Sequence, residues 1–232
     1  MLCSEAIKVN SNGTGGQAFI LTCKRWSCPI CQPVNRKRVM RQAAKGEPTT
    51  FLTLTATRKY ESPHACAQAM RDAFARLIRI LRKRFPGQSI EYFRVFEAHP
   101  SSGWPHLHVL LRCPFVHWRV LRAIWQKLIG AFMVDVRGVK NAAHAAFYLA
   151  KYLGKDLHKF DGVTRYYRSR GYLAPREDLG PKVRFGPHWQ THEGSPHLTW
   201  WKVMLDARTR GALFEEQRFG FARWAYPMRK GP

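Results

Sequence analysis

The segment WPHLHVLL sets His106 and His108 two residues apart. On a strand, alternate residues project from one face, so the two imidazoles point the same way and can share one divalent ion. Taken alone, the pair reads equally well as two surface histidines. Glu97, nine residues before His106, ends an upstream strand-like run, and a hairpin between the two runs would bring its carboxylate beside the imidazoles. Two imidazoles, one carboxylate and open positions suit Mg²⁺ or Mn²⁺ acting as a Lewis acid toward a phosphate. The other reading of Glu97 is a solvated acid at a strand end.

A second constellation is AAFYLAKYLGK, in which Tyr148 and Tyr152 are four apart and stack on one face of a predicted helix. At about 100° per residue, His144, Tyr148, Lys151, Tyr152 and Lys155 fall within roughly 60° of one direction. Ala142, Ala146, Leu149 and Leu153 take the other side. Packing tyrosines would be expected in the apolar stripe, whereas these share a face with histidine and lysines. A deprotonated phenol is a competent phosphoryl acceptor, and its ordinary pKa near ~10 means that it needs help to ionise. Lys151 and a nearby metal would both favour the phenolate.

The third constellation is CKRWSCPIC, with Cys23, Cys28 and Cys31 closely spaced and Cys3 available as a fourth ligand. Four thiolates complete a tetrahedral structural Zn²⁺ site, and unligated reduced thiols are the alternative. Cys66 and Cys113 lie in predicted helix and strand context and read as core residues. Finally, TRYYRSRGYL interleaves Arg165, Arg168 and Arg170 with Tyr166, Tyr167 and Tyr172. Such alternation suits single-stranded DNA, with arginines on phosphates and rings on bases; a solvated basic loop would look the same.

Local signals define the elements that must position these groups. FLTLTAT (51–57) is β-branched and aromatic-rich and reads as a buried strand. Ser62 as N-cap with Pro63 behind it opens a helix whose stripe is Met70, Phe74, Leu77, Ile78 and Leu81, and Pro86-Gly87 ends it. Strands over about 90–97 and 106–112 flank the turn-rich AHPSSGWP as a hairpin. A helix over roughly 117–129 carries Leu121, Ile124, Trp125 and Leu128 and stops at Gly130; the short strand FMVDVRG follows. A last helix runs from Asn141 as N-cap to Gly154. The order from 51 to 154, β-α-β-β-α-β-α, predicts an antiparallel sheet of the split βαβ type. Residues 183–226 contain aromatic, strand-like pieces such as LTWWKVML that this reading does not place.

Composition narrows the partner. The 232 residues hold 39 Lys and Arg against 15 Asp and Glu, a formal net charge of +24, with 45% hydrophobic and 13% aromatic residues. The chain can build a core, and its charge calls for a polyanion. No apolar run approaches the ~20 residues of a spanning helix, so no membrane role is expected. MLCSEAIKVNSNGTGGQAF has neither the basic start nor the apolar run of a secretory signal. The expectation is a protein of the reducing bacterial cytoplasm, whose cysteines are thiols or metal ligands.

Together these residues resemble the HUH endonuclease superfamily, and within it the two-tyrosine replication initiators of single-stranded DNA phages and rolling-circle plasmids. FLTLTAT is similar to that family's first motif, EAHPSSGWPHLHVLL to its second and YLAKYLGK to its third, in order, over about residues 51–173. The resemblance implies an α+β chain with a split βαβ (ferredoxin/RRM-like) nuclease core. It implies His106 and His108 as metal ligands, Glu97 as the third, Tyr148 and Tyr152 as nucleophiles and Lys151 as their helper. The implied activity is site-specific nicking and ligation of single-stranded DNA at a replication origin. It leaves a 5′-phosphotyrosine and a free 3′-OH for a host polymerase. No GxxxxGK[ST] loop is present, so unwinding is expected of a host helicase.

The expected layout is a cysteine-rich zinc module over 1–48, the endonuclease core over 49–175, and an extension over 176–232 packed on the core. A two-tyrosine transposase of a rolling-circle insertion sequence would share the cysteine module and the His and Tyr motifs, although such transposases tend to be longer. A non-enzymatic zinc protein that coats nucleic acid would account for the charge and cysteines. It would leave the His, Glu and Tyr constellation unexplained.

Overall fold

The computed structural model describes residues 3, 6–11, 16–131, 133–155, 160–173, 186–209, 214–219 and 222–227. In chain order the elements are β1 (Ala6–Ser11), β2 (Gly16–Ile20), α1 (Cys31–Lys45), β3 (Thr50–Leu54), α2 (Pro63–Arg84), β4 (Glu91–Ala98), β5 (Pro105–Arg112), α3 (Trp118–Ile129), β6 (Val134–Gly138), α4 (Ala142–Lys155), β7 (Tyr166–Arg168), β8 (Gln190–Glu193), α5 (Pro196–Thr209), β9 (Phe214–Phe219) and β10 (Ala222–Pro227). The chain is a mixed α+β protein with two antiparallel sheets. It divides into two compact units, Met1–Asn35 with Leu179–Pro232, and Arg36–Asp178. No helix among the described residues is long and apolar enough to cross a membrane.

The first unit holds the sheet β8-β1-β2-β10-β9. Ile7 and Val9 alternate onto one face of β1, and Val9 pairs with Ala18 of β2. Trp200 of α5 packs with these three residues in a small buried cluster, flanked by Val203 and Met204. LTWWKVML is therefore helical. The spacing of Trp200, Val203 and Met204 is the stripe of a helix, and Ser195 starts it by accepting from the Leu198 amide at 3.4 Å. The segment 176–232, expected as an extension packed on the core, instead supplies three strands to the sheet begun by β1 and β2. Its aromatic pieces serve this second hydrophobic cluster.

The second unit is the sheet β6-β3-β5-β4-β7, antiparallel throughout. One face carries Leu52 and Leu54, Phe96 and Ala98, Leu107, Val109 and Leu111, joined by Val134 and Val136 at β6. Helices α2 and α3 cover it. Ser62 accepts from the Ala65 amide at 3.1 Å with Pro63 in the first turn, and the stripe Met70, Phe74, Leu77, Ile78 and Leu81 is buried. Burying each of these contributes roughly 1.5–3 kcal/mol. In α3, Leu121 and Trp125 reach the same core, and Gly130 closes the helix at φ 78°, a conformation that glycine adopts without strain. Cys66 and Cys113 are buried, as expected. Strand β3 ends at Leu54 rather than Thr57 because its continuation bonds elsewhere: Trp125 Nε1 donates to the Thr55 carbonyl at 2.8 Å.

The other face of the sheet is left to Phe51, Thr53, Phe93, Val95, Glu97, His106 and His108, with α4 lying across it. Ala146, Leu149 and Ala150 are its buried stripe. Tyr172, read from sequence as a base-stacking ring, is a core residue. It is fully buried and donates its hydroxyl to the Ala43 carbonyl at 2.7 Å. Gly46 permits this arrangement, because a Cβ there would overlap the Tyr172 ring. Its φ is not left-handed, so the whole cost of Gly46→Ala is the overlap. We expect it to destabilise the protein by about 1–3 kcal/mol, read as a lowered thermal midpoint.

Candidate functional site

The β4–β5 hairpin sets Glu97 opposite His106, and the β3–β5 register sets Thr53 opposite His108. Glu97, His106 and His108 thus share the sheet face away from α2 and α3. Each offers one ligand atom, and these atoms lie within 4.8 Å of one another, close enough to hold one metal ion. The His108 and Glu97 side chains are only 4% and 11% exposed, and Nε2 lies 2.8 Å from Oε2. Thr53 Oγ1 lies 3.2 Å from the other ring nitrogen, Nδ1. A cation on Nε2 leaves the proton on Nδ1, which then donates to Thr53 and fixes both tautomer and ring plane.

Burial above all, then His108, pushes the His106 imidazole below its ordinary pKa, against the pull of Glu97. A neutral imidazole is the form that ligates. His99 stands edge-on to His106, with ring centroids 5.4 Å apart, and bonds Ser101 at 3.1 Å.

Helix α4 brings both tyrosines to this cluster. Asn141 caps it by accepting from the His144 amide at 3.0 Å, as expected of an N-cap. Tyr152 stacks face to face on His108, centroids 3.8 Å apart and planes 5° from parallel. Tyr148 meets Tyr152 edge-on at 5.3 Å and Phe51 edge-on at 5.4 Å. Burial first, then the hydrogen bond and charge of Tyr148 and the charge of Glu97, push the Tyr152 phenol above its usual pKa; Arg137 acts in the opposite sense. The side chains of Lys151 and Lys155 lie outside the described residues. Arg137, which sequence reasoning missed, is the cation found acting on both phenols. It is paired with Asp135 at 2.8 Å and lies opposite Phe51 across β6 and β3. The alternation in VDVRG, with Val134 and Val136 toward the core, was the available signal. Its use required knowing which strand β6 pairs with.

The interleaved segment of arginines and tyrosines forms the edge strand β7, paired with β4. Tyr166 stacks on Phe93, with planes 3° apart, so that ring is committed to packing. Tyr167 and Arg170 are exposed, while Arg165 and Arg168 are half-buried. Arg94, buried beneath this edge, has its guanidinium over the rings of Phe96 and Tyr167.

The four cysteines converge in the first unit. The sulfurs of Cys3, Cys23, Cys28 and Cys31 lie within 4.8 Å of one another. Cys3 and Cys31 approach to 3.2 Å, Cys23 and Cys31 to 3.7 Å. The chain turns at Lys24 through a left-handed φ of 54°, held by Asn35 Nδ2 donating to the Lys24 carbonyl at 3.0 Å. Burial, then the neighbouring thiols, pushes Cys31 up to about 12 when no cation stands among them. The set could hold a metal that prefers sulfur.

Thr53→Val keeps the shape and removes the hydrogen bond on Nδ1 of His108. Isothermal titration with Mn²⁺ as the probe should show roughly 10- to 100-fold weaker binding, and an unchanged affinity would remove Thr53 from the site.

No curated protein and no solved structure matches the chain. Residues 49–157, which hold every element from β3 to α4, match a family model of replication-associated proteins, the ORF2 type. That match supports a replication initiator of the Rep type and a role for the chain in DNA replication.

Proposed function

We propose that the chain is a metal-dependent tyrosine endonuclease and strand transferase that nicks and rejoins single-stranded DNA at a replication origin, starting rolling-circle synthesis. The observation that carries this is the stacking of Tyr152 on His108 at 3.8 Å, which sets a phenol beside a two-histidine, one-carboxylate cluster. The strand order supports an HUH-type core. β3 and β4, joined by α2, have β5 between them, and β5 and β6, joined by α3, have β3 between them, as in two interleaved split βαβ units.

His106, His108 and Glu97 are the residues that would hold Mg²⁺ or Mn²⁺, an assignment that fits their donor atoms and spacing. Bound there, the ion supplies Lewis-acid polarisation of a backbone phosphate and favours the phenolate. The tyrosine oxygen then bonds to phosphorus as the bond from phosphorus to the 3′ oxygen breaks. The phenol's proton ends on that 3′ oxygen, so the products are a 5′-phosphotyrosine and a free 3′-OH. Reversal with a second 3′-OH rejoins the strand. Tyr148 and Tyr152 serve as alternating nucleophiles, because synthesis regenerates the origin while the first 5′ end is still held. Lys151 and Arg137 steady the phenols and the phosphate. Lys155, Arg165, Arg168, Arg170, Tyr166 and Tyr167 contribute to the DNA-binding surface, and a host polymerase and helicase extend and unwind. Cys3, Cys23, Cys28 and Cys31 hold a structural Zn²⁺, which four thiolates suit.

The test is incubation with labelled single-stranded origin DNA and Mg²⁺ or Mn²⁺ followed by a denaturing gel. Wild type should form a covalent adduct. His106→Ala and His108→Ala should form none while keeping most DNA affinity, which rests on many phosphate contacts. Either Tyr→Phe single variant should retain some adduct, and the double variant none. Adduct surviving in both histidine variants, or mapping by mass spectrometry to Tyr166 or Tyr167, would overturn the assignment. Separately, purified protein should hold about one zinc that is lost, with order in the first unit, in Cys28→Ser, Cys31→Ser. Zinc-free protein grown with ample zinc would refute the cysteine site.

A further inference from the structure

A cavity of ≈ 360 Å³ opens at the β6 edge of the second sheet, lined by Thr53, Thr55, Trp118, Arg122, Met133 and Asp135 among others. None of these residues was singled out from the sequence, and the chemistry above does not use the cavity. Its lining departs from what folding alone would select. Trp118 is 43% exposed and Met133 67% exposed, so two large apolar groups face water on either side of it. Arg122 lies one helical turn after Trp118, on the same face of α3. Arg119 holds its guanidinium 5.5 Å from the Trp118 ring.

Two links tie the cavity to the cluster. Thr53 lines it and bonds the ring of His108. Asp135 lines it and pairs with Arg137, whose charge acts on Tyr148 and Tyr152. An occupant would therefore adjoin the phosphate position at the cluster. The wall chemistry defines that occupant as flat and apolar where it meets the indole and the Met133 side chain, and anionic where it meets Arg122. The cavity lies within the volume range of small-ligand sites, roughly 300–1,000 Å³, ample for one base.

We propose that this groove receives one unpaired nucleotide of the DNA strand, its base stacked on Trp118 and its phosphate at Arg122, beside the phosphate held at the histidine cluster. The proposal rests on the nickase reading above and adds a subsite to it. A base must be free of its pairing partner to lie on an indole, so the groove selects single strands over duplex.

The experiment is fluorescence anisotropy with the full chain, labelled oligothymidylate and chelator present, so that binding is read without cleavage. Trp118→Ala should bind roughly 5- to 150-fold more weakly, the range expected for loss of one stacked base. Trp118→Phe, which keeps a ring, should stay close to wild type. Trp201→Ala, which removes an exposed tryptophan of the other unit, should do the same. Arg122→Gln should lower the slope of log affinity against log salt by about 0.7, the value for one single-strand phosphate. Affinity for the duplex of oligothymidylate with oligodeoxyadenylate should not change in Trp118→Ala. Unchanged single-strand binding in Trp118→Ala, or an equal loss on single strand and duplex, overturns the groove. The adduct gel reports separately: wild-type adduct with binding independent of Trp118 sinks the groove alone. Absence of adduct with binding dependent on Trp118 sinks the nickase reading and leaves the groove.

Discussion

The register of the β4–β5 hairpin, which sets Glu97 against His106, constrains every other group at the site. Side chains alternate along a strand, so a slip of one residue would turn Glu97 onto the face buried under α2 and α3. The same alternation protects the register. Phe96 and Ala98, with Leu107, Val109 and Leu111, must stay in the core, and a slip would expose them to water. At roughly 1.5–3 kcal/mol for each large side chain, the apolar face outweighs any gain available to the polar one. The hydrophobic core thus holds the ligands in place, and Thr53 refines the orientation of His108 from the neighbouring strand.

Charge acts on two scales here. The net charge of +24 draws in a polyanion from a distance but is screened beyond about 8–10 Å at ordinary salt, so it gives no position. Position comes from the few groups set within reach of the phenols. Burial works against an ionised Tyr152, and Arg137 offsets only part of this. On the proposed reading the site is idle until a cation sits on the histidines, because the chain's own residues favour the protonated phenol. The buried His108–Glu97 contact has a matching logic. It satisfies the carboxylate with an imidazole proton when no ion is bound, and that proton leaves when an ion takes its place.

What could be read from the sequence was whatever a short window encodes. The Ser62-Pro63 start of α2, the Gly130 stop of α3, the Asn141 cap and the 105–112 strand all carry local signals, and each stands where those signals put it. The convergence of four cysteines was equally legible, because three lie within nine residues of one another. Long-range pairing was not legible. Nothing near β1 announces that β8 will lie beside it across some 180 residues of chain. LTWWKVML looked like a strand because its aromatic content outweighed a helical stripe only three residues long. Tyr172 shares its segment with exposed Tyr167, and their fates differ because Gly46, far off in sequence, leaves room for one ring. Arg137 and Thr53 were missed for the same reason, since their roles depend on which strands flank β3.

The two phenols are chemically alike and geometrically unequal. Tyr152 lies flat on His108, so turning its ring means unstacking it from a residue fixed by Glu97 and Thr53. Tyr148 touches its neighbours only edge-on and is 38% exposed, so it can swing outward without disturbing the cluster. If each phenol must in turn meet the same phosphate position, two rigid rings would obstruct one another. One fixed and one movable ring would not, because the movable ring can carry its covalent strand aside while the fixed one faces the next phosphate. The four-residue spacing on α4 supplies proximity, and the unequal packing of the two rings supplies the room that an exchange of strands requires.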